Sequence, residues 1–255
     1  MDGNRSPAAL APAASPWRAA QSVTPLLLLP GMMCDARLFA PQVAALADLA
    51  QITVGDLTRA ESVPALAAGL LAEAPPRFAL AGLSMGGIVA MEMAKQAPER
   101  VVRLALLDTN PRAEAEDRRA ARRPQIERAL RGGLRDVLAE EMKPLYLAEA
   151  NRGDRALLRL LLDMALALGP EAFARQSRAL RDRPDQRAAL ARYPGPALAL
   201  CGAEDRLCPP ERHAEMAALA PRGRLEIVAG AGHLPTLERP DAVNAALRRW
   251  LTEDA

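Results

Sequence analysis

The chain has 255 residues, half of them apolar, with 33 basic and 31 acidic side chains. That length sustains one large core or two small ones, and a net charge of +2 argues against a protein built around nucleic-acid phosphates. Three cysteines disfavour a disulfide-stapled scaffold, 3% aromatic residues are too few for base- or sugar-stacking platforms, and no apolar run approaches the ~18 residues of a membrane span.

Residues 1–22 mix Ala, Pro and Ser and carry Asp2 where a secretory signal would begin its basic stretch. They read as a flexible tail, and the protein as soluble and cytoplasmic. Short apolar runs at 23–29, 52–54, 78–81 and 101–107 then read as buried strands, alternating with amphipathic helical stretches at 36–49, 64–74 and 85–97. Strand–helix alternation of this kind predicts a parallel sheet with helices on both faces.

The alternation stops at Pro111 and resumes with strands at 197–201 and 225–228 and a closing helix at 240–251. The 80 residues between, 111–190, hold 17 basic and 13 acidic side chains and an apolar stripe at helical spacing through Leu157, Leu160, Leu161, Met164 and Leu168. They read as a helical insertion with a solvated surface of mixed sign. Its surplus of four positive charges, against −2 on the rest of the chain, makes it the place to seek any preference for anionic substrates. The predicted organisation is a tail at 1–22, a core at 23–110 and 191–255, and the insertion.

After the strand at 78–81 comes Gly82-Leu83-Ser84-Met85-Gly86-Gly87, followed at once by a helix. A strand that turns abruptly into a helix strains and exposes its central residue, and Gly82 and Gly86 remove side chains that would collide there. Ser84 then sits at a helix N-terminus, where unpaired N–H groups favour a developing negative charge, and the Met85 N–H is the natural first oxyanion donor. G-x-S-x-G arises often by chance; its place between a strand and a helix is what gives it weight.

A serine hydroxyl needs a base, and the chain offers His213 and His233. His213, in Pro209-Pro210-Glu211-Arg212-His213, reads as the first turn of an exposed helix with a surface role. His233, in Gly230-Ala231-Gly232-His233, follows the strand at 225–228, at the sheet edge where open α/β sheets hold ligands, and is the expected base. Asp205, after the strand at 197–201, is the expected third member, fixing the imidazole tautomer; Glu204 and Asp108 are its rivals, Asp108 having the alternative role of capping the turn into Asn110-Pro111. The loop Pro30-Gly31-Met32 should supply the second oxyanion donor from the Met32 N–H, each such donor being worth about 3 kcal/mol in known cases. Met33, Leu145, Tyr146, Leu161 and Met164 are candidate linings of an apolar acyl pocket. No spacing of histidines and cysteines suggests a metal site, and Cys34, Cys201 and Cys208 read as structural.

These residues together resemble the α/β-hydrolase superfamily, in its lidded esterase and lactonase group, over about residues 23–252. Gly-Leu-Ser-Met-Gly-Gly, Ala97-Pro98-Glu99-Arg100-Val101, and Gly230-Ala231-Gly232-His233 with Pro235 and Glu238 carry the resemblance, which extends to 3-oxoadipate enol-lactone hydrolases, pimeloyl carrier-protein methyl esterases and cofactor-free perhydrolases. It implies an α/β-hydrolase fold, a mostly parallel sheet with a helical lid inserted between the family's strands six and seven, and the chain order Ser84, Asp205, His233. Two departures stand out: Pro30-Gly31 replaces the usual His-Gly, and residues 1–22 do not look like the usual N-terminal hairpin, so a sheet of six or more strands is expected without it. The implied activity is cleavage of a small-molecule carboxylic ester with no cofactor or metal and no membrane or nucleic-acid partner. Lactone opening, carbon–carbon bond hydrolysis or perhydrolysis with the same residues, and a non-catalytic binding module on the same fold, are the rivals.

Overall fold

The computed structural model describes residues 23–142 and 145–253. The expected tail at 1–22 lies outside the described residues. Six strands, β1 (Thr24–Leu29), β2 (Ala50–Val54), β3 (Phe78–Leu83), β4 (Val101–Leu107), β5 (Ala197–Gly202) and β6 (Gly223–Val228), form one sheet in the order β2-β1-β3-β4-β5-β6, and every pairing is parallel. Each strand falls where an apolar run is expected, within two residues at either end.

Period-two alternation divides the sheet's apolar residues between two cores. Leu27, Leu29, Leu80, Leu104 and Leu106 pack on one face with the helices Val63–Glu73 and Met85–Gln96. Leu26, Leu28, Ala79, Ala81, Leu107 and Leu200 pack on the other, with Val243, Leu247 and Trp250 of the closing helix Pro240–Thr252. The central strands β3 and β5 are buried throughout, whereas the edge strands β2 and β6 are mostly half-exposed, as a doubly covered parallel sheet requires. Arg100, from the Ala-Pro-Glu-Arg-Val run, donates to the carbonyls of Leu71, Ala74 and Pro75 and so ties the end of the second helix to the start of β4.

The insertion leaves after β4 and returns before β5, and the two crossings meet where the Gln186 N–H donates to the Pro111 carbonyl at 2.6 Å. The sixth and seventh strands of the resemblance are thus the fourth and fifth described here. Its two longest helices are Glu116–Arg128 and Arg155–Arg181, the latter broken at Gly169 (φ 81°, ψ 175°), whose left-handed backbone is followed by Pro170 at the start of the second half. Leu161 and Met164 of the expected stripe are buried against the second core.

Strand order reverses between β1 and β3, which creates a crevice at their carboxyl ends. Register pairs Leu29 with Gly82, Leu83 with Leu107 and Gly202 with Val228, so all these strands end at one edge. The segments that follow them carry Met32, Ser84, Asp108, Asp205 and His233.

Candidate active site

Ser84 lies between β3 and the helix Met85–Gln96 at φ 53°, ψ −114°, a left-handed conformation for a residue with a side chain. The surrounding glycines explain how it is held. A Cβ on Gly82 would lie 2.3 Å from the Gly86 carbonyl oxygen, and one on Gly86 would lie 2.0 Å from the Leu29 carbonyl oxygen. The strand, the helix start and the β1 loop therefore touch backbone to backbone. The Ser84 N–H donates to the Leu107 carbonyl at 2.9 Å, and its own carbonyl accepts from Thr109 Oγ1 at 2.7 Å.

His233 Nε2 lies 2.9 Å from Ser84 Oγ, and His233 Nδ1 lies 2.8 Å from Asp205 Oδ2. The other Asp205 oxygen accepts the N–H groups of Leu207 and Cys208 at 2.8 and 3.0 Å. Burial pushes this carboxyl's pKa up, but His233 and the two backbone donors outweigh it and hold it below the usual carboxylate value. An ionised Asp205 facing Nδ1 selects the tautomer with the proton on Nδ1, leaving Nε2 free to accept from the serine.

The His233 loop is clamped from the insertion. Its N–H donates to the Tyr146 carbonyl at 2.7 Å, and a Cβ on Gly232 would lie 2.7 Å from the same oxygen. Glu238 bridges the two segments, accepting from the N–H groups of Gly232 and Ala148 at 2.8 Å each and from Asn151 Nδ2 at 2.9 Å. Gln176, on the long insertion helix, does the same for the β1 loop, accepting from the Met33 N–H at 2.8 Å and donating to the Leu57 carbonyl. Glu238 was visible only as part of a resembling motif. Nothing in the sequence marks Gln176, because its partners are backbone groups more than 100 residues away.

The loop after β1 places Gly31 beside Ser84, its would-be Cβ 3.6 Å from Ser84 Cβ. Met32 borders a cavity that opens at Ser84, and Met85 is the first residue of the helix that follows Ser84.

That cavity, about 480 Å³, is bordered by Ser84, His233, Leu145 and Tyr146 among others. The Tyr146 ring stands 5.8 Å from the His233 ring, centroid to centroid. Three of the candidate lining residues are elsewhere: Met33, Leu161 and Met164 are buried in the two cores. Met33 is drawn inward by its left-handed backbone (φ 57°) and the Gln176 bond, and the other two are buried in the second core.

The rival acids are excluded from His233 by their partners. Glu204 is exposed and accepts the Glu149 N–H at 2.9 Å. Asp108 is fully buried, and accepts the Gly202 N–H at 2.9 Å rather than capping the turn at Asn110, whose own side chain accepts the Arg112 N–H. Burial and the nearby Asp205 charge push the Asp108 carboxyl well above the usual carboxylate range. His213 also departs from expectation: it is wholly buried, and its Nε2 accepts the Thr109 N–H at 3.0 Å. Burial lowers its pKa to about 4, so it is neutral and structural, holding the loop that holds Ser84. The spacing to Met216, three residues on and equally buried, was the signal that this helix face points inward.

Asp205, Cys208 and His233 also place one potential metal-ligand atom each within 4.8 Å of one another, a cluster the sequence spacing did not reveal. Asp205 and His233 already bond each other, and burial pushes the Cys208 thiol up, away from the thiolate a metal requires. Burial likewise pushes the Cys34 thiol, on the same cavity, up to about 12.

The sequence model of the alpha/beta hydrolase family matches residues 10–246. A pimeloyl-[acyl-carrier protein] methyl ester esterase of Xanthomonas oryzae is 33% identical over 247 residues, covering 89% of this chain and 94% of that relative. Among solved structures, a thermophilic esterase from Thermogutta terrifontis, determined with malate bound, superposes with a TM-score of 0.81 at 30% identity over 89% of each chain. The enol-lactonase from Burkholderia xenovorans superposes with a TM-score of 0.81 at 25% identity, covering 91% of this chain and 93% of that one.

Proposed function

The chain belongs to the alpha/beta hydrolase family, and from that premise we propose that it is a serine hydrolase cleaving carboxylic esters of small molecules through an acyl-enzyme on Ser84. The observation that carries this reading is the unbroken relay from Ser84 Oγ to His233 Nε2 at 2.9 Å and from His233 Nδ1 to Asp205 Oδ2 at 2.8 Å, at a strained strand–helix turn.

His233 takes the Ser84 proton as Oγ attacks the acyl carbonyl, and the N–H groups of Met32 and Met85 receive the oxyanion. Asp205 stabilises the imidazolium, which then protonates the departing alcohol. Water, activated by the same Nε2, attacks the acyl-enzyme; the carboxylic acid leaves and Ser84 recovers its proton. None of these steps calls on a metal or cofactor. Segment 111–190 acts as the lid, with Leu145 and Tyr146 shaping the acyl pocket.

The test is turnover of a p-nitrophenyl ester by the wild-type protein and by Ser84→Ala. The reading expects release of nitrophenolate that the variant, still folded by circular dichroism, lacks; equal turnover by both would refute it. Lactone opening is the second reading, favoured by the similarity to the Burkholderia enol-lactonase. It uses the same atoms, but the alcohol stays attached to the acyl group, so product analysis with an ester and a lactone of equal chain length separates the two.

A further inference from the structure

The wall of the Ser84 cavity is lopsided in charge. Five arginines, Arg112, Arg118, Arg122, Arg183 and Arg212, border it, against one carboxylate, Glu114. Two of them are part-exposed and already engaged: Arg112 forks onto Glu215 at 2.9 and 3.0 Å, and Arg212 lies 3.7 Å from the same group. The inner pair differs. Glu114 stands between Arg122 Nη2 at 2.8 Å and Arg183 Nη2 at 3.3 Å, and the side chains of all three are largely buried, with 2%, 13% and 10% exposed respectively. One negative charge thus faces two positive ones in a region of low dielectric, a net +1 that no protein carboxylate within this trio balances.

Their donors are also undersupplied with acceptors. Among the described residues, Arg183 Nε is buried without a hydrogen-bond partner. Arg122 Nη1 reaches, among the described residues, the thioether sulfur of Met32 at 3.4 Å, a weak acceptor on the residue whose N–H is assigned to the oxyanion. Burial pulls the Arg183 guanidinium below the ordinary arginine value even with Glu114 beside it. A buried charge left short of partners destabilises the empty cavity, and a planar anion offering two acceptor oxygens relieves that cost. The rest of the wall includes Ile88, Leu145, Leu180 and Leu207, which suits a hydrocarbon chain between the two ends of a substrate.

We propose that Arg122 and Arg183, braced by Glu114, form a carboxylate-binding subsite inside the Ser84 cavity, so that the preferred esters carry a free carboxylate, as half-esters of dicarboxylic acids do. This rests on the acyl-enzyme reading for the word ester, whereas the subsite itself is a binding property that does not require turnover.

Two measurements keep the claims apart. In the first, kcat/KM is compared for the monomethyl esters of succinate, adipate and suberate and for the methyl esters of the monoacids of equal length. At least one half-ester is expected to exceed its neutral partner by roughly tenfold or more, the loss associated with leaving one buried charge unpaired. In Arg183→Met that ratio is expected to collapse towards one. In the second, binding of the free diacids to Ser84→Ala is measured calorimetrically, with no chemistry involved. Arg183→Met and Arg122→Met in that background are expected to weaken binding roughly tenfold, and Glu114→Gln, which raises the local charge, to strengthen it several-fold. Failure to hydrolyse any ester while diacid binding responds in this way would overturn the acyl-enzyme reading and leave the subsite standing. Equal rates for all half-esters and neutral esters, or diacid binding indifferent to Arg183 and Glu114, would overturn the subsite. If Arg183→Met does not fold, Glu114→Gln and Arg122→Met decide the matter by their opposite signs.

Discussion

At the scale of single residues, the site separates groups of one type by what surrounds them. Asp205 is kept ionised by His233 and two backbone donors, while burial pushes Asp108, next to it, towards the neutral acid. Asp205→Asn, which no longer compels the Nδ1 tautomer, should therefore lower kcat on the order of 10⁴-fold with the fold intact, by stopped-flow ester hydrolysis. Asp108→Asn should not. Because the folded pKa of Asp108 is raised, its contribution to stability is full below about pH 4 and is lost as pH rises through the folded value. Thermal melts should show the Asn variant matching the wild type near pH 4 and exceeding it near pH 8; a variant less stable at pH 8 would show that the ionised acid is the one the fold needs. His213 has the opposite sign: lowered to about 4, it contributes stability above pH 6.5 that is lost as pH falls towards 4, and His213→Gln should flatten that acid limb in the same melts. Ser84, Asp205 and His233 could be singled out together because each needs only its own chemistry and a strand end beside it, and the fold brings the three side chains within hydrogen-bond reach of one another. His213 reads as surface because Pro209-Pro210-Glu211-Arg212 does, and its three-residue spacing to Met216 marks an inward face only weakly until β5 and β6 pack against that helix.

At the scale of elements, the strands were the most legible part, since central parallel strands buried on both faces are simple apolar runs. The close backbone contacts of the Ser84 turn were legible too, as glycines. Gly82→Ala would drive a Cβ to 2.3 Å from the Gly86 carbonyl, where only backbone can yield. A loss of ~3 kcal/mol, roughly 6–12 °C in Tm, is the expected result in calorimetry, and ester turnover should fall further than stability alone explains. A melting temperature unchanged within about 1 °C would contradict the packing described for that turn. The insertion was legible only as helical. Its break at Gly169-Pro170 was written in the sequence, but the direction each half takes, and hence the burial of Leu161 and Met164 in the core and not on the cavity, follows from the tertiary packing of the second core.

At the scale of the whole molecule, two carboxylate- and amide-mediated clamps join the insertion to the edge of the sheet that carries Ser84 and His233: Glu238 between the His233 loop and Ala148–Asn151, and Gln176 on the β1 loop. Side chains so far apart in sequence leave no local pattern, which is why the organisation of the core could be read and its coupling to the insertion could not. Glu238→Gln keeps the shape but gives up the charge-assisted acceptance of backbone N–H groups, and should lower kcat more than it raises KM, because it loosens the base without touching the pocket wall. Equal turnover numbers for Glu238→Gln and wild type would sever the clamp from catalysis. The central claim, that Ser84 is the acylated nucleophile, is tested most directly by treating the protein with a fluorophosphonate and measuring its intact mass and then its peptides. The expected result is a single adduct on the Gly82–Gly86 peptide at Ser84, absent in Ser84→Ala and much slower to form in a His233→Ala variant. A wild-type protein that takes up no label, or takes it up equally in Ser84→Ala, would contradict the account.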